Sequence, residues 1–354
     1  MNSMFGRSEK KGNYAYSVAR VKAKKARLIS GDAYTNMLMM SVPEISRYIS
    51  ENGYQKEMAE LAGRIEGIDL LEHATYRNMA RMFRGIYNSA TGELKDMVSA
   101  YLEKWDIWNL KIILRGKAYG ADTESIREDL VPAARLGQEE LDKLLAMDSD
   151  DEIIAAYGRM MSISIPNDVM SAYKAEGNFT RLEDHLDIVH YERLLVSINP
   201  SSRPQRLFQD FVRKEIDIVN VETILKLKSE GIFGEIVYPY IIPGGKQINK
   251  KLATQLANAE TIEAAAADLV QLDFYDSIKE ALDGETNTLR NIVAGMKRYQ
   301  SGQAKTFSHL YPLSVIPILD FMIHKEIEVS NIRTVARGIE SGLDKETIKG
   351  LLVM

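Results

Sequence analysis

The chain has 354 residues, long enough for two or three domains, and its 45 basic and 50 acidic residues leave a formal charge of −5. It contains no cysteine, which excludes disulfides, thiolate catalysis and cysteine-ligated zinc and suits a cytosolic protein. No stretch reaches the roughly 20 apolar residues that a membrane-spanning helix needs, and the polar, basic start does not resemble a signal peptide.

The charge is unevenly distributed along the chain. Residues 1–28 carry eight basic residues and one acid, whereas residues 122–152 carry eleven acids and three bases. Within the basic stretch, Tyr14, Val18 and Val21 predict an amphipathic helix with a basic side. Two interpretations stay open, a helix that meets an anionic partner and a helix whose charges face solvent. No aromatic side chains alternate with the basic ones, so the pattern does not favour nucleic acid as that partner.

Helical patterns dominate the rest of the chain, with helix starts predicted at Pro43, Pro204 and Pro317. The one stretch of strand-forming composition, residues 236–242, is interrupted by Pro239. The sequence therefore predicts an all-α fold.

A segment at residues 103–115 occurs three times in the chain. Residues 214–226 and 325–337 are its second and third copies, each displaced by 111 residues from the one before. This period predicts three homologous helical-bundle units, each near the common size of a domain.

The boundaries of these units are expected near residues 121 and 233, which gives units over 1–120, 121–233 and 234–354. Three such units could stack into an open array or close into a ring with a pseudo-threefold axis. The sequence does not decide between these arrangements, although three copies of so large a unit slightly favour closure.

The three copies keep one side of a helix and vary on the other. At about 100° per residue, the recurring positions gather on one side and the variable or charged positions on the opposite side. The recurring polar positions are the acids Asp106, Asp217 and Glu328 and the asparagines Asn109, Asn220 and Asn331. Because they lie on the kept side, each acid–asparagine pair is predicted to be buried, hydrogen-bonded and structural. The alternative is that Asp106 caps a helix that begins there.

Glycines also recur at the 111-residue spacing, at Gly120, Gly231 and Gly342. Aspartates follow the first and third of them two residues later, at Asp122 and Asp344. In those two copies the glycine is predicted to end one helix and the aspartate to open the next.

Patterns that indicate catalysis are scarce. Residues 243–247 superficially resemble a phosphate-binding loop, but they lack its first glycine and its Ser or Thr, so they predict a turn. Glu183, Asp187 and His190 share one side of a predicted helix and could hold a metal, although a solvated or partner-facing side is the simpler interpretation. The three repeated acids could support acid–base chemistry only if they met, and their place on a packing face favours three separate structural sites. We therefore predict no catalytic residue, no cofactor and no metal site.

Three segments resemble a known family: residues 14–28, residues 105–115 and residues 311–333. They are similar to the C subunit of archaeal A-type (A/V-type) ATP synthases, whose eukaryotic relative is the d subunit of the vacuolar proton pump. The likeness runs over nearly the whole chain, including the threefold repeat, but not over the first ten residues or the acidic residues 148–152.

The resemblance implies a funnel of three similar helical units, peripheral to the membrane on its cytoplasmic face. It implies a central-stalk rotor protein that sits on the membrane rotor ring, made of c (K) subunits, and receives the D and F subunits of the stalk. The implied task within the multi-subunit ATP synthase is mechanical, coupling proton or sodium translocation to ATP synthesis, with no catalytic residue of its own. Two other classes stay open, an all-α scaffold or adaptor unrelated to ATP synthase and an enzyme hidden in a helical bundle.

Overall fold

A computed structural model describes residues 12–176, 179–198, 200–283 and 289–354. All regular secondary structure in these ranges is helical, so the predicted all-α class is confirmed. In the first half of the chain the α-helices are α1 Tyr14–Lys25, α2 Gly31–Met37, α3 Val42–Ile49, α4 Gln55–Leu61, α5 Gly67–Ser89, α6 Gly92–Ala118, α7 Thr123–Asp129, α8 Gln138–Leu145 and α9 Asp150–Met161. In the second half they are α10 Asn167–Glu176, α11 Thr180–Ser197, α12 Arg203–Ser229, α13 Lys250–Asn258, α14 Ile262–Leu269, α15 Tyr275–Asp283, α16 Leu289–Leu310, α17 Ile316–Glu340 and α18 Lys345–Gly350.

Two short helical turns complete the list of elements. A π-helical turn, Ser50–Tyr54, joins α3 to α4, and a 3₁₀ helix, Gly234–Tyr240, contains Pro239. The stretch of strand-forming composition is therefore helical for most of its length. The first eleven residues, which hold part of the basic start, lie outside the described ranges.

Six long helices form a closed circuit. The helices α6, α12 and α17 carry the three repeated segments, and each follows another long helix, α5, α11 or α16 respectively. Contacts run from α5 to α6, α6 to α11, α11 to α12, α12 to α16, α16 to α17, and from α17 back to α5. The last long helix in the chain therefore packs against the first.

One apolar cluster lies where the six helices come together, and we call it the central core. It takes residues from the first halves of α6, α12 and α17, from the later parts of α5, α11 and α16, and from α1. Its large buried side chains include Phe83, Tyr101, Phe208 and Phe321. Because the first halves of all three repeat helices share this core, their starts are held together.

Three further apolar clusters, the outer cores, surround the second halves of the repeat helices. The α6–α11 core joins the second half of α6 to the short helices α7–α10 and the first half of α11. The α12–α16 core does the same with α12, α13–α15 and α16. The α17–α5 core joins the second half of α17 and α18 to α2–α4 and the first half of α5, so it combines both ends of the chain.

The repeated glycines end the repeat helices in one way. Gly120, Gly231 and Gly342 all have positive φ, at 71°, 78° and 69°, a conformation that glycine adopts without steric cost. After each, the next residue donates a backbone hydrogen bond to a carbonyl five residues back, as Leu343 does to Gly338 at 2.9 Å. Asp122 and Asp344 then cap α7 and α18 through their side chains. The predicted helix ends and starts are confirmed.

Among the described residues, no helix combines the length and the apolar character that crossing a bilayer requires.

Candidate functional site

The side of the repeat helices that the sequence keeps is buried in all three copies. Asp106 and Asn109 are fully buried in α6, and so are the matching pairs in α12 and α17, none more than 3 % exposed. Asp106 lies well inside α6, which begins at Gly92, so the alternative that it caps a helix start is wrong. The prediction of a buried, hydrogen-bonded polar pair in each copy therefore agrees with the geometry.

Each asparagine binds the backbone of one residue located 22 positions further along the chain. The amide nitrogen of Asn109 donates to the carbonyl of Val131 at 2.8 Å, and the Val131 N–H donates back to Oδ1 at 2.7 Å. Asn220 makes the same two bonds to Ile242, at 2.9 and 2.8 Å. Asn331 makes them to Val353, at 2.8 and 3.0 Å. The asparagine side chain thus pairs with the buried loop as the backbone of a neighbouring strand would. A buried backbone N–H and carbonyl need such hydrogen-bond partners.

Two of the acids hold the same loops a few residues later. Asp106 accepts the N–H groups of Arg135 and Leu136, at 3.0 and 2.9 Å. Asp217 accepts three N–H groups, those of Lys246, Gln247 and Ile248, at 2.8–3.0 Å. Lys246 and Gln247 belong to the loop that superficially resembles a phosphate site. Their N–H groups already bind the protein's own carboxylate, which explains the loop without a phosphate.

The third acid has different partners. Glu328 accepts the backbone N–H of Ile29 at 2.7 Å, together with the hydroxyl of Tyr54 and the buried ammonium of Lys325 at 2.6 Å. Ile29 is 299 residues away in sequence. The sequence indicated the acid but not these partners, because nothing in the repeat connects the start of the chain to its third copy.

Burial controls the protonation of the first two acids. It raises the pKa of Asp106 to about 7, although the two backbone N–H groups act in the opposite direction. Burial also raises the pKa of Asp217, partly offset by its three N–H donors. Among the described residues no hydrogen bond joins one repeated acid to another, so the carboxylate cluster needed for acid–base chemistry is not formed.

A second polar group, the central charge cluster, comprises Lys104, Glu215 and Glu326, which are spaced by 111 residues. The ammonium of Lys104 lies 2.8 Å from a carboxylate oxygen of Glu326. The carboxylate of Glu215 accepts hydrogen bonds of 3.1 Å from Tyr101, Tyr191 and Gln300. The equal spacing of these residues is visible in the sequence. The charge changes sign between the copies, however, so the position did not appear as a repeated one.

The other candidate residues are occupied by ion pairs. Glu183 binds Arg115 and Asp187 binds Lys111, with nitrogen–oxygen distances of 2.6 and 2.7 Å. Burial, with help from nearby basic residues, lowers the pKa of His190 to about 3. The described residues contain no group of three side chains arranged to hold a metal. The side of α11 that carries these acids is thus a contact with α6.

The geometry defines a helical protein with three repeated structural sites and one central charge cluster. A family described as "ATP synthase (C/AC39) subunit" matches residues 17–351 of the chain. The chain belongs to this family.

Its relatives include proteins named as the C subunit of A-type ATP synthases. That of Methanococcoides burtonii is 35% identical, over 99% of this chain and 97% of the relative. Those of Methanosarcina acetivorans and Archaeoglobus fulgidus are each 34% identical, over 98% and 97% of this chain and 95% and 98% of theirs. The predicted family is confirmed, and the alternative of a scaffold unrelated to ATP synthase is wrong.

Proposed function

We propose that the chain is a non-catalytic central-stalk subunit of an A/V-type ATP synthase. It couples the membrane rotor ring to the D and F subunits of the stalk, and so ion translocation to ATP synthesis. It lies peripherally on the cytoplasmic face of the membrane. Membership of the ATP synthase (C/AC39) subunit family and the names of its relatives support a place in this complex. The single observation that carries the mechanical role is the closed circuit of six long helices.

We propose further that the three repeat units, 1–120, 121–233 and 234–354, surround a pseudo-threefold axis and form a funnel. Two contacts, both at 3.1 Å, tie the start of α12 to its neighbours: Gln205 donates to Glu93 in the first turn of α6, and Arg203 donates to Tyr311 in the turn before α17. The second halves of the same helices enter three separate outer cores. Helices that meet at one end and separate at the other support a narrow end and a wide mouth.

A coupler must pass torque between partners without yielding, and the repeated sites suit that task. Each acid–asparagine pair fixes a loop to a repeat helix through bonds of defined length, so the outer core cannot slide along the helix. Close packing around the six helices resists deformation. In this proposal Asp106, Asn109, Asp217, Asn220, Glu328 and Asn331 are structural positions rather than catalytic ones.

Depletion of the chain from native membranes tests the proposal. Without it, we expect ATP hydrolysis by the complex to continue while ATP-driven ion translocation is lost, because chemistry and transport are no longer connected. Adding back the purified chain should restore translocation. Loss of hydrolysis in step with translocation would indicate a catalytic role, and undiminished translocation would exclude coupling.

The two ends of the repeat helices offer a second test. Leu310 and Leu313 are 61% and 67% exposed near the start of α17, whereas Tyr119 and Phe233 are 82% and 44% exposed beyond the ends of α6 and α12. A helix of this length separates its ends by about 40 Å. We expect Leu310→Asp with Leu313→Asp to weaken one partner, ring or stalk, and Tyr119→Asp with Phe233→Asp to weaken the other in co-purification. A single-partner adaptor would lose the same partner with both pairs.

A further inference from the structure

In the third repeat the acid, Glu328, takes its backbone hydrogen bond from the start of the chain. In the first two copies the acid binds N–H groups located 29 to 31 residues further along, at residues 135–136 and 246–248. The N–H of Ile29 takes the place that those loop residues occupy in the other copies.

The residues after Ile29 match the corresponding residues of the other two copies. Helix α2 follows Ile29 as α8 follows Leu136 and α13 follows Ile248, each two residues later. Their N-cap positions are Ser30, Gly137 and Asn249, and the equivalent positions Met37, Leu144 and Leu256 are all fully buried. By position, helix start and burial, α2 is the third copy of α8 and α13.

The start of the chain is bound to α17 at several points. The helices α1, α2 and α3 all contact α17, and Lys25 forms a 2.5 Å ion pair with the buried carboxylate of Asp320. Burial raises the pKa of Asp320, but the bonds from His324 and Lys25 outweigh it and hold the pKa below its ordinary value. Tyr54, at the start of α4, binds Glu328 as well.

Peptide continuity is missing at one place in the helix circuit. The chain runs directly, or through short helices, between the partners in five of the six contacts. The sixth contact, from α17 to α5, has no such link. It is closed by non-covalent bonds, among them the ion pairs of Glu72 with Arg333 and Arg337 and, beside them, the bonds of Ile29 and Lys25 to α17.

We propose that residues 12–61 form a strap that closes the circuit by completing the third repeat, and that the circuit opens at this strap before any other contact. The opening separates α2–α4, and with them the first half of α5, from the second half of α17 and leaves the α6–α11 and α12–α16 cores folded. The closed circuit of helices can then open without unfolding of the whole protein. The inference does not depend on the proposed place in an ATP synthase.

The natural lack of cysteine allows a direct test with single reporters. Met37→Cys reports opening of the strap, and Leu256→Cys is its matched control at the equivalent position of α13. The rate at which a thiol reagent labels each cysteine in the folded full-length protein is divided by its labelling rate in urea. The two corrected rates are then compared. We expect Met37→Cys to react at least about tenfold faster, because local opening needs less free energy than global unfolding.

Moving the chain break sharpens the test. Gly244 and Gly245 lie between Ile242, which Asn220 binds, and Lys246, which Asp217 binds, so this turn is equivalent to the natural break. A full-length circular permutant joins Met354 to Met1 through a flexible linker and opens between these two glycines. We expect the order to reverse, with Leu256→Cys now the faster reporter. Equal rates in the natural chain, an unchanged order in the permutant, or a permutant that does not fold would each overturn the proposal.

Discussion

At the scale of single residues, the asparagines have a specific and replaceable role. Asn220 satisfies both the N–H and the carbonyl of Ile242 inside the protein. Asn220→Leu would leave both groups buried without partners, at a cost of about 1–3 kcal/mol each. We expect the free energy of unfolding in urea to fall by about 2–5 kcal/mol. Asn88→Leu, at an exposed position of α5, is the control and should change it little. A similar small effect for both variants would mean that Ile242 finds other partners.

The carboxylate of Asp106 makes stability depend on pH. Its folded pKa of about 7 lies above the ordinary value of 3.8. The folded state therefore holds a proton that the unfolded state has lost, so this contribution to stability is complete below about pH 4 and disappears as pH rises through about 7. We expect Asp106→Asn to remove this part of the pH dependence, which urea unfolding across that range measures.

The sequence predicted which residues form these sites but not what they bind. The acid and the asparagine recur in three copies, so their column on the helix was visible. Their partners are backbone groups, which residues of almost any type possess. The loops that contain Val131, Ile242 and Val353 share an apolar pair of residues and, in the first two copies, a proline after it. That pattern does not specify a hydrogen bond to an asparagine.

At the scale of helices, two glycines should respond in opposite ways to alanine. Gly231 ends α12 with φ of 78°, where a Cβ is strained, so Gly231→Ala should lower the free energy of unfolding by about 1–2 kcal/mol. Gly302 is exposed inside α16, and a Cβ there would touch nothing within 4 Å. Gly302→Ala should therefore raise it by about 0.5–1 kcal/mol. Thermal or urea unfolding of both variants checks the pair, and a shift in the same direction would contradict this account of the helix end.

The long repeat helices were predictable because apolar residues recur along them and glycines mark their ends. The match between α2 and the helices α8 and α13 was not predictable in this way. The buried positions of α2 agree with those of α8 and α13, but the residue types differ. Helix α2 also lies at the opposite end of the chain from α17. Linear spacing, which revealed the repeat, cannot reveal a partner that precedes it.

At the scale of the whole molecule, the three repeats are unlike where they meet. The equivalent positions hold a lysine and two glutamates, Lys104, Glu215 and Glu326. Burial lowers the pKa of Lys104, but the two carboxylates outweigh it and raise the pKa above its ordinary value. Burial raises the pKa of Glu215, and the positive charge of Lys104 partly offsets this rise. The same charged residue in all three copies would place like charges together. Charged residues at these three positions therefore have to differ in sign between the copies.

This arrangement predicts a loss of stability that grows with pH when the cation is removed. In Lys104→Met, the two carboxylates lose this positive partner, so the folded pKa of Glu215, already raised by burial, should rise further above the unfolded value of about 4.3. Its contribution to stability is then intact while Glu215 is protonated and is lost as pH rises through the raised pKa. Lys104 and Glu326 are each about a quarter exposed. We therefore expect a moderate effect near neutral pH, about 1–3 kcal/mol in the free energy of unfolding.

The double variant separates repulsion from lost packing. If the two carboxylates repel, Glu326→Gln added to Lys104→Met should restore most of the stability near neutral pH and flatten its dependence on pH, because only one charge remains. Lys22→Met, at an exposed position of α1, supplies the control for removing a lysine. Urea unfolding between about pH 5 and about pH 8 measures all four proteins over the range in which raised carboxylate pKa values act. A double variant no more stable than Lys104→Met would mean that the lysine acts through its hydrocarbon chain, and that the three repeat helices are joined at their centre by packing alone.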